Sequence, residues 1–433
     1  MTYEKTADTD DETSQYAASL IKKHRPDMTF FRDTYRQLHN MPELSGQEEE
    51  TARIVADYLT SLGSFEVFTK IGGHGIAGVL TNGEGPTILL RADMDGLPLL
   101  EKTGLSYASV RTQIDKSGVE KPVMHACGHD THVASMMAVA KLLLSARSHW
   151  KGTLICPFQP AEERLNGAKA MVDDGLYKKI PHPDIVLAQH VDNARCGTIQ
   201  LRSGPTMTAS VSLQIRIFGR GGHGSAPQDC IDPIIIGSSI VVQLQTIVSR
   251  QIDPGQLAVV TCGSIHAGDA PNIIPDFLDL KINIRALTDD IIGRILVSVR
   301  RIIEAACKAG GCDREPLIET ISSTPATIND EATVQKLEKS FTYYFGSQLE
   351  HMDVATASED VSMATAVGAR MVIWFFGSTD PIQWDTASEN GKLNEIPYNH
   401  SPLFAPTIQS LDAAVDAMSL AALTLFKPAL EVV

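Results

Sequence analysis

The sequence contains little that would carry the protein to a membrane or to a nucleic acid. No uninterrupted apolar run approaches the ~20 residues that span a bilayer. The opening stretch, residues 1–15, is acidic and polar with no apolar core, so it reads as neither a secretory signal nor a transit peptide. Lys and Arg number 37 against 52 Asp and Glu, a formal net charge of -15. Phosphate backbones and anionic headgroups repel a chain of that sign. Seven cysteines, an odd number, lie scattered through 433 residues. That is no disulfide framework, and reduced thiols in the cytoplasm are the expectation. No internal repeat or low-complexity tract is visible, which removes solenoids and fibres. What remains is an ordinary globular composition, 43% hydrophobic and 21% charged, in a chain too long for a single core. Two or three domains are expected.

One stretch stands out. His125, Ala126, Cys127, Gly128, His129, Asp130, Thr131 and His132 follow one another directly. Behind them Val133, Met136, Met137, Ala140, Leu143 and Leu144 recur with helical spacing. The polar cluster therefore sits in a tight loop that opens a helix, where unpaired N–H groups and the positive dipole end lie. Gly128 allows the sharp turn between Cys127 and His129. A helix cap would explain Asp130 and Thr131; it would not explain a thiol among three histidines, which points to a metal.

The flanking pattern supplies a scaffold. An acidic lead over residues 1–20 reads as disordered, and helices are expected from Thr29 and from Gln47 to Leu62. Short, continuously apolar runs at 86–92, 152–158 and 185–188 suit strands buried on both faces. They end at Asp93, at Glu162 and Glu163, and at His190. Strand, helix, strand at these lengths predicts a mostly parallel sheet flanked by helices, and sites in such α/β sheets form outside the carboxyl ends of the strands. From about Gly204 the texture changes to alternating strands. The order β-α-β-β-α-β over residues 206–318 predicts an inserted ferredoxin-like α+β domain, a lid or dimerisation module. Residues 1–205 and 319–433 then form the metal-binding catalytic domain.

The chemistry-bearing candidates are Cys127, His129, Glu163, His190 and His400. A pair of metals needs one ligand able to bridge them, and a thiolate or carboxylate can. Glu162, beside Glu163, is free for general-base work, taking a proton from water and passing it to a leaving group. Cys127 with a histidine also allows a thiol hydrolase, but that chemistry leaves both glutamates and the third histidine unused. His223 lies in a glycine-dense loop that either approaches a ligand or simply turns a hairpin. Arg285 ends a strand of the inserted domain and could hold a carboxylate.

Taken together these motifs resemble the metal-dependent amidohydrolases of the carboxypeptidase G and aminoacylase superfamily. Within it the chain is similar to hippurate hydrolases and plant auxin–amino-acid conjugate hydrolases. The resemblance rests on the stretches Leu38–Ser45, Arg91–Asp95, His125–Asp130, Gln159–Glu163, Gly221–Gly224, Asn272–Asp276, Ser358–Asp360 and His400–Ser401. It implies two divalent metal ions, zinc or manganese before cobalt or nickel. Cys127 would bridge them where the superfamily usually has an aspartate, with His129, Glu163, His190 and His400 as the other ligands. Glu162 would be the base, Asp93 would orient a ligand, and His223 would polarise the scissile carbonyl. Asn272 and Arg285 would hold the substrate carboxylate. The implied reaction is hydrolysis of an N-acyl amino acid or related small amide, with two chains pairing through the inserted domain. A dipeptidase, another C–N hydrolase, or a non-catalytic ligand-binding relative are the alternatives. Arg164, Leu165 and Asn166 depart from a run that is glycine-rich in relatives, beside the expected base.

Overall fold

The computed structural model describes residues 8–429. The chain divides into two units. The first comprises Met1–Thr206, Ile328–Asp353 and Asp360–Val433, and the second Met207–Thr327 with Val354–Glu359.

In the first unit, sheet order across the described residues is Glu66–Ile71, Gly75–Asn82, Trp150–Gln159, Thr87–Asp93, Ile185–Arg195, Arg370–Thr379, Ile199–Leu201 and Leu349–His351. The central four, from Trp150–Gln159 to Arg370–Thr379, run parallel. Gly75–Asn82 joins one side antiparallel, and Ile199–Leu201 joins the other antiparallel. Helices cover both faces of a parallel sheet, so its strands are apolar throughout rather than alternating. Ile88, Leu89 and Leu90 in one central strand and Val372, Ile373 and Trp374 in another are fully buried. Each such side chain contributes about 1.5–3 kcal/mol by leaving water. Helices His129–Ser145 and Ser410–Leu425 pack on each other and on this sheet, and nearly every residue of both is buried.

Two expectations change. The acidic lead is helical from Asp8 to His24, while residues 1–7 lie outside the described residues. Ala17, Leu20 and Ile21 are spaced as one face of a helix and are buried in the core. Lys22, Lys23 and His24 occupy its last turn, where positive charge favours the dipole. Polar composition hid an amphipathic pattern. Secondly, the strand bearing His190 does not end there but continues to Arg195. His190 still clears the sheet on one side, because the neighbouring strand pairs only as far as Arg91 with Ala188. On the other side Phe375 still pairs with it. The rim is stepped rather than flush.

In the second unit four antiparallel strands run in the order Ala258–His266, Phe277–Ala286, Ala209–Phe218 and Leu317–Thr324. Helices Pro233–Gln251 and Asp289–Ala309 follow the first and third strands in chain order. This is the ferredoxin-like arrangement. The unit runs to Thr327 rather than 318 because the last strand stays in its sheet. Helix Pro233–Gln251 is 19 residues long and apolar enough by composition to cross a membrane. Here it buries Ile236, Ile240, Leu244 and Ile247 within the unit's core.

Candidate metal centre

The site begins with a backbone constraint. Gly128 caps helix His129–Ser145 in the left-handed region, φ 78°, and a Cβ there would stand 2.5 Å from the Val191 side chain. Only glycine fits. The turn sends Cys127 and His129 toward the sheet rim, where the Cys127 Sγ lies 3.5 Å from His190 Nε2. The donor atoms of Cys127, His129 and His190 fall within 4.8 Å of one another, and so do those of Cys127, Glu163 and His400. All five expected ligands therefore meet, in two sets that share the sulfur.

Hydrogen bonds fix how each ligand points. His129 Nδ1 donates to the Asp95 main-chain oxygen at 2.9 Å, and its Nε2 is buried with no partner. His190 Nδ1 donates to the Val191 oxygen at 2.7 Å, which leaves Nε2 as the free lone pair facing the thiol. His400 Nε2 stands 3.3 Å from Glu163 Oε2, and Glu163 Oε1 is a second buried atom without a hydrogen bond. Beyond strand Trp150–Gln159 the chain turns through Ala161 at φ 53°. The N–H groups of Glu162 and Glu163 then donate to the Asp95 carboxylate at 3.1 and 3.0 Å, and that of Ala161 donates to Glu48 at 2.9 Å. Backbone anchoring thus aims both glutamates. Glu162 is buried, with Oε2 3.8 Å from His129 Nε2, alongside the ligand atoms.

The electrostatics fit bound cations. Burial pushes the Cys127 thiol up, and the Glu163 carboxylate adds to this. A neutral thiol there is neither a nucleophile nor a metal ligand, and a bound cation would draw off its proton. Burial acts downward on His129, but the charges of Asp93 and Cys127 overcome it and hold the imidazole well above its ordinary value. Contacts with Cys127 and Glu163 raise His400 to about 10. Burial keeps His190 well below its usual range, ready as a neutral ligand. Without cations, the charge of Asp93 favours a proton on His129, and that of Glu163 favours one on His400. Divalent ions would displace those protons. A shared sulfur, imidazoles, a carboxylate and two orphaned buried donor atoms match a two-metal site.

Asp93 does something other than expected. Its carboxylate accepts from His132 Nδ1 at 2.5 Å and from Arg91 at 2.5 Å, and comes no nearer than 3.7 Å to His129 Nε2. Asp95 is the residue that holds His129. His132, unassigned in the sequence, accepts the Val191 N–H at 2.9 Å through Nε2 and so ties Asp93 to the strand bearing His190. Arg91 Nε reaches Gln159 at 2.9 Å, and Gln159 reaches Asp360 at 2.6 Å. The i, i+2 spacing of Arg91, Asp93 and Asp95 at the end of an apolar strand was the available signal for this buried network.

The remaining candidates lie in the second unit. His223 is exposed and bonds only locally, its Nδ1 lying 2.7 Å from Ser225 Oγ. A short ladder pairs it with Ile273, and Gly224 donates to the Asn272 oxygen at 2.9 Å, so His223 and Asn272 share one end of the unit. Arg285 does not join them. It lies eight residues beyond Phe277 along the same strand, roughly 26 Å at ~3.3 Å per residue. There it donates to Ser358 Oγ and the Thr356 oxygen, each at 3.1 Å.

Comparison with known proteins gives the family. Hippurate hydrolase of Campylobacter jejuni is 41% identical over 308 residues, 70% of this chain and 76% of that protein. The IAA-amino acid hydrolase ILR1-like 2 of Arabidopsis thaliana is 30% identical over 409 residues, 91% of this chain and 85% of that protein. The crystal structure of a dinuclear metal-binding peptidase of family M20 from Bacillus subtilis matches with a TM-score of 0.72 at 26% identity, covering 92% of this chain and 98% of that one. The model of peptidase family M20/M25/M40 matches residues 89–398, and the chain belongs to that family.

Proposed function

We propose that the protein hydrolyses the amide bond of N-acyl amino acids, releasing a carboxylic acid and an amino acid. The observation that carries this reading is the pair of donor sets sharing Cys127, with the Glu162 carboxylate beside them. Cys127, His129, Glu163, His190 and His400 would hold two divalent cations, zinc or manganese before cobalt or nickel. When bound, such a pair polarises a carbonyl and lowers the pKa of water. Glu162 takes the proton from the attacking water and delivers it to the leaving nitrogen. Its backbone anchor on Asp95 keeps the carboxylate in place through both transfers. His223 donates a hydrogen bond to the oxygen that becomes negative. Asn272 and Arg285 hold the substrate carboxylate, Arg285 with its planar fork.

The separation of Arg285 from His223 and Asn272 within one unit supports a homodimer, in which the partners of one substrate come from two chains. The exposed Ile235 and Val242 of helix Pro233–Gln251 offer an apolar surface for pairing. So does strand Ala258–His266, which is paired on one side only. A cytoplasmic setting accords with reduced thiols.

The test is turnover of a panel of N-acyl amino acids before and after chelation. Activity should vanish with the metals and return when they are restored. Full turnover by metal-stripped protein would contradict the reading.

A further inference from the structure

The residue before His400 has no assigned task, yet its side chain also reaches the Cys127 sulfur. The Asn399 amide nitrogen lies 3.1 Å from the Val191 oxygen, 3.2 Å from the Cys127 oxygen and 3.7 Å from the Cys127 sulfur. Every one of these neighbours is an acceptor, so the NH2 end must face them. Two amide protons serve three acceptors, so one proton is shared between two of them. The other end, Asn399 Oδ1, is buried with no partner. A side chain kept only for its own satisfaction would not leave that oxygen bare.

The three acceptors belong to the segments that carry the ligands. Val191 O also accepts from His190 Nδ1 at 2.7 Å, so Asn399 and His190 converge on one carbonyl. His400 follows directly, its N–H donating to the Ala126 oxygen at 2.8 Å. His400 has φ 70°, a conformation that L residues adopt only at a cost and that surrounding contacts must enforce. One amide thus cross-links the segments bearing Cys127, His190 and His400.

We propose that Asn399 is a positioning residue for the metal centre: it locks these three ligands together and donates an N–H···S hydrogen bond that tempers the charge of the bridging sulfur. This rests on the two-metal reading above. A thiolate shared by two cations gives electron density to both, and a hydrogen bond to it draws part of that density back. Removing the donor loosens the ligands and leaves the sulfur a stronger electron donor.

The test uses the cobalt-loaded protein, whose sulfur-to-cobalt charge-transfer band reports electron donation by Cys127 independently of activity. Asn399→Leu keeps the size and removes the donors; Asn399→Ala removes them without added bulk and serves if the leucine variant does not fold. The band should move to longer wavelength, and cobalt affinity of the metal-free protein should fall by about tenfold or more. An unchanged band and affinity overturn the proposal. So does lower affinity with an unmoved band, which would leave Asn399 a structural support with no action on the sulfur. An unsubstituted protein that binds cobalt without any such band overturns the thiolate-bridged centre itself, and the proposal with it.

Discussion

The two regions that carry candidate site residues are built on opposite plans. At the sheet rim of the first unit most of the candidate site residues are held from behind. His129 leans on Asp95, His190 on the Val191 carbonyl, and Glu162 and Glu163 hang by their N–H groups from one buried carboxylate. In the second unit His223 and Asn272 are exposed, and the His223 ring touches only a serine two residues away. A preorganised centre keeps its geometry before substrate arrives, whereas exposed polar groups on a glycine-rich loop acquire theirs from what they meet. The difference separates two tasks. Metal holding and proton transfer need fixed distances, and recognition of a substrate needs a surface that can close on it.

Five substitutions can break or sharpen this contrast. The largest effect belongs to the rigid side. Glu162→Gln should lower kcat by about 100- to 10,000-fold while metal content by elemental analysis stays unchanged; coincident metal loss would make Glu162 a ligand instead. On the exposed side, His223→Ala should lower kcat by roughly 100- to 1,000-fold and leave the melting temperature unmoved. Mixing His223→Ala with Arg285→Ala chains should then restore about one quarter of the activity if each site draws on two chains, because half the dimers become mixed and one of their two sites is intact. No recovery would place both residues in one chain's site.

Smaller effects probe the support of the rim. His39 is buried with Nδ1 2.7 Å from Asp130 and Nε2 3.1 Å from Glu101, behind the start of the helix that carries His129. Burial alone would lower its pKa, but the two carboxylates raise it to about 10. A folded-state value above the unfolded one means the stabilisation is complete below about pH 6.5 and fades as pH rises toward 10. His39→Gln should cost roughly 3–5 kcal/mol near pH 6, with the gap in denaturation midpoint closing above pH 10. A gap independent of pH would show that packing, not charge, is what His39 supplies. The smallest effect is expected at Leu165, which holds φ 51°, a region that favours glycine. Leu165→Gly should relieve strain and change stability by no more than about 1–2 kcal/mol, measured by urea unfolding.

The sequence carried the parallel sheet because burial on both faces leaves an apolar run that needs no alignment to see, as at Ile88 to Leu90. It pointed to the residues that meet at the rim because a thiol, three imidazoles and paired glutamates in such places have few other uses. It did not distinguish Asp93 from Asp95. Both follow the same strand, and which one turns to His129 depends on where the chain leaves the sheet. His132 stood in the marked stretch, but its role in tying Asp93 to Val191 needed the fold to show it. Asn399 was hidden more deeply, since nothing marks an asparagine beside a histidine until the fold brings Cys127 and Val191 to it.

The central claim is that one sulfur is common to two cation sites. Crystals grown with manganese or zinc and measured at the metal's absorption edge would show it directly. Two anomalous peaks roughly 3.5–4 Å apart, both within bonding distance of the Cys127 sulfur, are the predicted result. A single peak, or a pair in which one ion lies beyond reach of Cys127, would contradict it.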